Sequence, residues 1–124
     1  MEKKIWNEID GYNYSYNCKK TGNMYMITIG KNKNDNWKII DNSHQNDYWF
    51  HLDNLPSCHV IVHIGETDHQ LDKAVIKFAS WLCKKKSKKK DNEKLNIIYT
   101  QIKNITKGEN IGSVIPKFIK NIIV

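Results

Sequence analysis

The sequence predicts an α+β domain: a largely antiparallel sheet with one long amphipathic helix packed on it, in a single domain spanning residues 1–124. Three observations lead there. Several short runs are rich in β-branched and aromatic residues, one later segment carries helical spacing, and the two kinds of segment do not alternate as a βαβ chain would.

Taken in order, 12-YNYSYNC-18 alternates aromatic with polar residues and reads as an edge or half-exposed strand. Residues 24-MYMITI-29 form a strand that ends at Gly30, and the polar GKNKNDN after it reads as the turn of a hairpin. The stretch 47-DYWFHLDNLPSCHVIVHI-64 reads as two strands around a proline turn. A helix is expected from residue 68 to the high eighties. Thr67 and Gln70 fit a capping box, and Leu71, Ala74, Val75, Phe78 and Leu82 recur at helical spacing. Its end runs into the lysine tract 84-KKKSKKK-90, which suits the negative end of a helix dipole. Further strands are expected at 95-LNIIYT-100 and 117-KFIKNIIV-124. The pattern leaves strand order open.

The formal charge is +7, and all 20 basic residues are lysine. A basic balance favours nucleic acid or another anionic surface as partner. Part of it also fits codon bias, since lysine, asparagine and isoleucine are abundant while arginine is absent. The three cysteines, Cys18, Cys58 and Cys83, are odd in number and lack C-x-x-C spacing, which speaks against a zinc ribbon, a redox dithiol or a secreted disulfide framework. No apolar run approaches the roughly 18 residues that cross a bilayer, and no signal-type leader is present. A cytoplasmic protein without membrane attachment is expected.

Chemistry-bearing side chains concentrate in 47–64. Strand alternation puts Tyr48, Phe50 and Leu52 on one face and Asp47, Trp49 and His51 on the other; Cys58, Val60 and Val62 oppose His59, Ile61 and His63 in the same way. Burying both apolar faces together requires paired residue numbers with an even sum, and the loop length selects a register in which Phe50 faces Val60. That register sets His51 opposite His59 and Asp47 opposite His63. A metal site lacks a third ligand there, because His59 and His63 lie about 13 Å apart along a strand and Cys58 points away. Nucleophilic catalysis lacks a Ser or Cys on that face, and GKNKNDN has neither the Walker nor the Rossmann spacing. Two readings stay open: a face covered by another element with satisfied core histidines, or a surface of rings and cations for single-stranded RNA.

In the same order and at similar spacing, 30-GKN-32 with Asn36, 47-DYWFH-51, 55-LPSCHV-60, 97-IIYT-100 and 111-IGSV-114 resemble the NFACT-R domain, the RNA-binding module of the NFACT ribosome quality-control family. The resemblance implies an α+β fold and RNA as partner, either tRNA or ribosomal RNA, with the large ribosomal subunit as its setting. Lys31 stands where the family often has Arg, and Ser57 and Cys58 stand where it often has Gly-Ser. The chain shows neither an NFACT-N domain nor a coiled coil, so a stand-alone module is expected.

The expected RNA-binding residues are Lys31, Asn32 and Asn36 for backbone or base edge, Trp49, His51 and His59 for stacking or hydrogen bonding, and Lys84, Lys85 and Lys86 for non-specific attraction. No catalysis, metal or cofactor is expected. The alternative is a protein-interaction module that docks on a ribosomal component or competes with a full-length NFACT protein. Phosphate attraction alone does not separate RNA from DNA.

Overall fold

The structure, a computed structural model, describes residues 5–124. Its main sheet is built from β1 (Trp6–Glu8), β2 (Asn13–Asn17), β3 (Met24–Ile29), β4 (Tyr48–Leu52), β5 (Val60–His63), β6 (Asn96–Gln101) and, last in the chain, β9 (Lys120–Ile123). The order is β1-β2-β3-β5-β4-β6-β9, with every pairing antiparallel. Among the described residues there are two α-helices, α1 (Lys33–Asp41) and α2 (Lys73–Lys85), and a small ribbon pairs β7 (Ile105–Lys107) with β8 (Val114–Pro116).

The α+β class and the antiparallel sheet are as expected, but the single long helix is not. The helix α2 starts at Lys73 because Asp72, not Thr67, caps it: its carboxylate accepts from the Ala74 N–H at 3.0 Å. Residues 67–71 are instead held as a loop, with His69 bonded to the Tyr25 hydroxyl at 3.0 Å and Asp68 to Gln101 at 2.7 Å. At the other end the Ser87 hydroxyl takes the Lys84 carbonyl at 2.7 Å, so the lysine tract leaves the helix after Lys85. The segment 30–36 is not a hairpin turn. It starts α1, and β3 pairs with β2 and β5.

These two helices sandwich the sheet. Val75, Phe78, Ala79, Leu82 and Cys83 recur on one side of α2 and pack on Ile27, Ile29, Phe50, Leu52, Val60, Val62 and Ile97. A fully buried apolar side chain such as Leu82 contributes roughly 1.5–3 kcal/mol through removal from water. On the opposite sheet face, Ile39 and Ile40 of α1 close over Trp49, Ile61, Ile98 and Ile102, with Ile105 and Val114 at the margin.

The β4–β5 pairing has the expected register: Tyr48 faces Val62, Trp49 faces Ile61 and Phe50 faces Val60. Its ladder stops at Val60, where the loop from Leu52 bends away through Asn54, whose φ is 56°. The strand β2 is an inner strand, with β1 outside it, and its buried Tyr14 and Tyr16 alternate with half-exposed neighbours.

Because α1 covers this face, Trp49 is only 1% exposed. Truncating it to Ala leaves a large cavity, and we expect Trp49→Ala to lower the unfolding free energy by about 3–5 kcal/mol in urea titrations. Trp49→Phe, which keeps most of the ring volume, should lose much less. A Trp49→Ala protein as stable as wild type would contradict this packing.

Candidate nucleic-acid interface

The β3–α1 junction is shaped by two side chains. Asn32 caps α1 by accepting from the Asp35 N–H at 2.9 Å, and the Asp35 carboxylate returns to the Lys31 N–H at 2.7 Å. Gly30 follows from crowding: a Cβ there would collide with Asn36 Oδ1. That oxygen also faces the His59 N–H at 3.3 Å, while the Gly30 N–H donates to the His59 carbonyl at 2.9 Å. Asn36 is therefore a buried tie between α1 and the loop before β5.

The expected cations separate on the structure. Lys31 stays exposed, with its ammonium 5.3 Å from the Tyr12 ring, and lines a groove of about 590 Å³ together with Asn32 and Lys33. Lys86, Lys88 and Lys89 enter the same groove from beyond α2. Lys84 is turned away, donating to the carbonyls of Glu93 and Val124 at 3.2 Å, and Lys85 lies 4.6 Å from the Trp81 ring. So Lys86 alone of the three predicted helix-end lysines reaches the groove, whereas Lys33 is drawn in from α1. A lysine at the first turn of a capped helix next to Lys31 was the available signal for Lys33.

A second cavity, of about 630 Å³, adjoins the groove; both are walled by Asn36 and by Leu55, Pro56 and Ser57. His51 and His59 line it, with ring centroids 5.1 Å apart and planes at 85°. The far wall comes from the loop before β8, and there Gly112 sits at φ 86° with no room for a Cβ, which would lie 2.7 Å from the Lys33 carbonyl oxygen. Trp37 ties that loop to α1 by donating to the Ser113 carbonyl at 2.9 Å.

Trp49 organises both histidines without reaching the surface. Its indole N–H donates to His59 Nδ1 at 3.1 Å, and its ring stacks on His51 at 5.5 Å with 11° between planes. A base has no face of Trp49 to stack on, which corrects the sequence-based role. His59 itself is buried, and His51 is half-buried with its Nδ1 2.7 Å from the Leu52 carbonyl. Burial pushes the His59 pKa down to about 3, helped by the neighbouring His51. Burial also lowers that of His51, against the opposing pull of the Leu52 and Ser57 carbonyls.

The Asp47–His63 pair is present and extends further than the sequence suggested. His63 Nδ1 lies 2.9 Å from the Asp47 carboxylate and its Nε2 lies 2.9 Å from the Thr28 hydroxyl. The order resembles a hydroxyl–imidazole–carboxylate relay. Asp47, however, also accepts from the N–H groups of His44, Ile64 and Gly65 at 2.7–3.0 Å, so it clasps two loops together. Burial alone would raise its pKa; the bonds from His63 and the three amides outweigh it and hold the carboxyl at about 2. Among the described residues no group of three His, Cys, Asp or Glu side chains converges as a metal site.

These shifts set the acid response. The folded state keeps His59 neutral down to about pH 3, whereas an unfolded His takes its proton near 6.5. Stability is therefore full above the upper value and falls as pH drops toward the lower one, by up to about 1.4 kcal/mol per pH unit for this proton. Asp47 adds a later loss as pH falls from 3.8 through 2. Urea titrations over a pH series should show decline beginning below pH 6.5. His59→Asn, which keeps an acceptor for Trp49, should flatten that upper limb; an unchanged limb would contradict the assignment.

Several known proteins resemble this chain. Residues 13–117 match the family model described as NFACT protein RNA binding domain. Coiled-coil domain-containing protein 25 from Bos taurus is 36% identical over 87 residues, covering 67% of this chain and 41% of that protein. The Mus musculus protein of the same name is 34% identical over the same shares. The chain thus spans well under half of the curated relatives it matches. Among solved structures, the C-terminal region of the fibronectin/fibrinogen-binding protein from Streptococcus suis shares the fold, with a TM-score of 0.76 and 21% identity over 98% of this chain and 48% of that one.

Proposed function

The chain belongs to the NFACT RNA-binding domain family, and from that premise we propose that it binds tRNA or ribosomal RNA in the translation apparatus, in the cytoplasm and without chemistry of its own. The observation that carries the proposal is the lysine groove. Lys31 and Lys33 from the start of α1 meet Lys86, Lys88 and Lys89 from beyond α2, so segments far apart in sequence place their cations in one channel. Asn32 spends its side-chain oxygen on the helix cap and keeps its amide N–H groups for a ligand. Lys84 and Lys85 contribute only to the general field.

Docking on a ribosomal protein is supported by a separate feature. Ile115, Phe118 and Ile123 are exposed around β8 and β9, and Phe118 is 83% exposed at φ 52°. A strip of apolar side chains in water suits a protein partner. It lies on elements other than those that bring in the lysines, so both contacts can operate together.

Salt dependence tests the groove. Replacing Lys31, Lys33 and Lys86 by Gln should weaken binding to all single-stranded RNA sequences alike. Each lost phosphate contact should reduce the slope of log K against log salt by about 0.7. Lys84→Gln with Lys85→Gln should change the slope far less, and equal effects of the two sets would sink the groove assignment.

Cysteine labelling gives a footprint. Cys58 lines the groove half-buried, whereas Cys18 and Cys83 are buried. Its thiol is held below the usual range by a hydrogen bond with Cys83, against burial, with help from Lys86. N-ethylmaleimide should therefore modify Cys58 first, and bound RNA should slow that reaction. Labelling at an unchanged rate under saturating RNA would place the RNA elsewhere.

A further inference from the structure

We infer that the cavity beside the lysine groove receives a single unstacked RNA base, read by His51 and His59 as a fixed acceptor and donor pair. The inference rests on the proposed RNA binding and adds the form of RNA required: a single strand whose base leaves the stack, not a duplex held by its phosphates.

The tautomers follow from the neighbours. The indole N–H of Trp49 can only donate, so His59 Nδ1 accepts at 3.1 Å and the ring carries its proton on Nε2. The Leu52 carbonyl can only accept, so His51 carries its proton on Nδ1, 2.7 Å away, and its Nε2 holds the lone pair. Two rings 5.1 Å apart on one cavity wall therefore offer opposite hydrogen-bonding groups. Every nucleobase presents adjacent donor and acceptor atoms on its pairing edge, which matches this pair.

Electrostatics sorts the parts of a nucleotide between the two cavities. The histidine cavity carries neutral rings, apolar surface from Ile98, Val114 and Ile119, and the Asp53 carboxylate, which repels phosphate. The adjoining groove carries the lysines. Leu55, Pro56 and Ser57 form the wall common to both, so the base and the phosphates of one nucleotide fall on opposite sides of one loop. Duplex RNA has no free base to place there.

The ring orientations are also rigid. Stacking on Trp49 and the bond to Leu52 fix His51, while the indole bond fixes His59. Trp49 is here a positioning residue. A cavity preorganised in this way loses little ordering entropy when a base enters.

Binding of a short single strand, its duplex and an abasic ribose-phosphate oligomer of equal length separates this inference from the groove proposal. The base-bearing single strand should bind at least about tenfold more tightly than the abasic oligomer. His51→Ala should remove that preference. Equal affinity for base-bearing and abasic strands, with the lysine dependence kept, would overturn the base cavity while sparing the groove. No binding to any of the three would overturn both. A second readout needs no variant: the imidazole nitrogen NMR signals should show His59 protonated at Nε2 and His51 at Nδ1. Nucleoside monophosphates should shift both signals and ribose phosphate should not. Equal responses to the two ligands, or none to the nucleotides, would contradict the inference.

Discussion

The hydrogen bond from the buried Trp49 indole to His59 is the contact on which the arrangement of the site depends. It joins β4 to the loop before β5 at the point where their ladder ends, in a place no backbone bond of that ladder reaches. Removing its acceptor would leave a buried indole N–H unpaired, a cost of about 1–3 kcal/mol. It also decides the protonation of His59, because an imidazole nitrogen that accepts cannot carry the proton. Packing and hydrogen-bonding chemistry are set by one interaction.

Around that contact the sheet supports two different cores. The α2 side is a broad apolar layer that holds most of the buried hydrophobic residues. The α1 side is smaller and holds polar members at its edge, where Asn36, His59 and the loop at Gly112 approach closely. The candidate site lies where the smaller core opens to water. Its lysines lie on helix ends and loops, whereas its histidines are held by Trp49 of the sheet, so a cationic groove adjoins a cavity whose rings are fixed.

The β4–β5 register was readable because both strands alternate cleanly, and a one-residue slip would have turned Phe50 and Val60 to the wrong face. The strands at 24–29 and 95–100 were readable from their β-branched and aromatic composition. By contrast α1 was hidden: its start is all polar, and it buries only Asn36, Ile39 and Ile40. The cap pattern of Asn32 followed by Asp35 was the signal that could have exposed it. Without α1 over it, Trp49 would face water; Ile39 and Ile40 bury it. The start of α2 was misplaced because two cap candidates, Thr67 and Asp72, precede one apolar stripe, and tertiary bonds of His69 and Asp68 chose between them. The meeting of Lys31 and Lys33 with Lys86 could not be read at all, since it depends on how the two helix ends are brought together across the sheet.

The most direct test of the central claim is to crosslink bound single-stranded RNA to the protein with ultraviolet light and map the attached peptides by mass spectrometry. RNA held across the lysine groove and the histidine cavity should crosslink to residues within 30–36, 51–59 and 86–89. Crosslinks confined to Phe118 and Ile123, or to the open face of β2 and β3, would contradict the account.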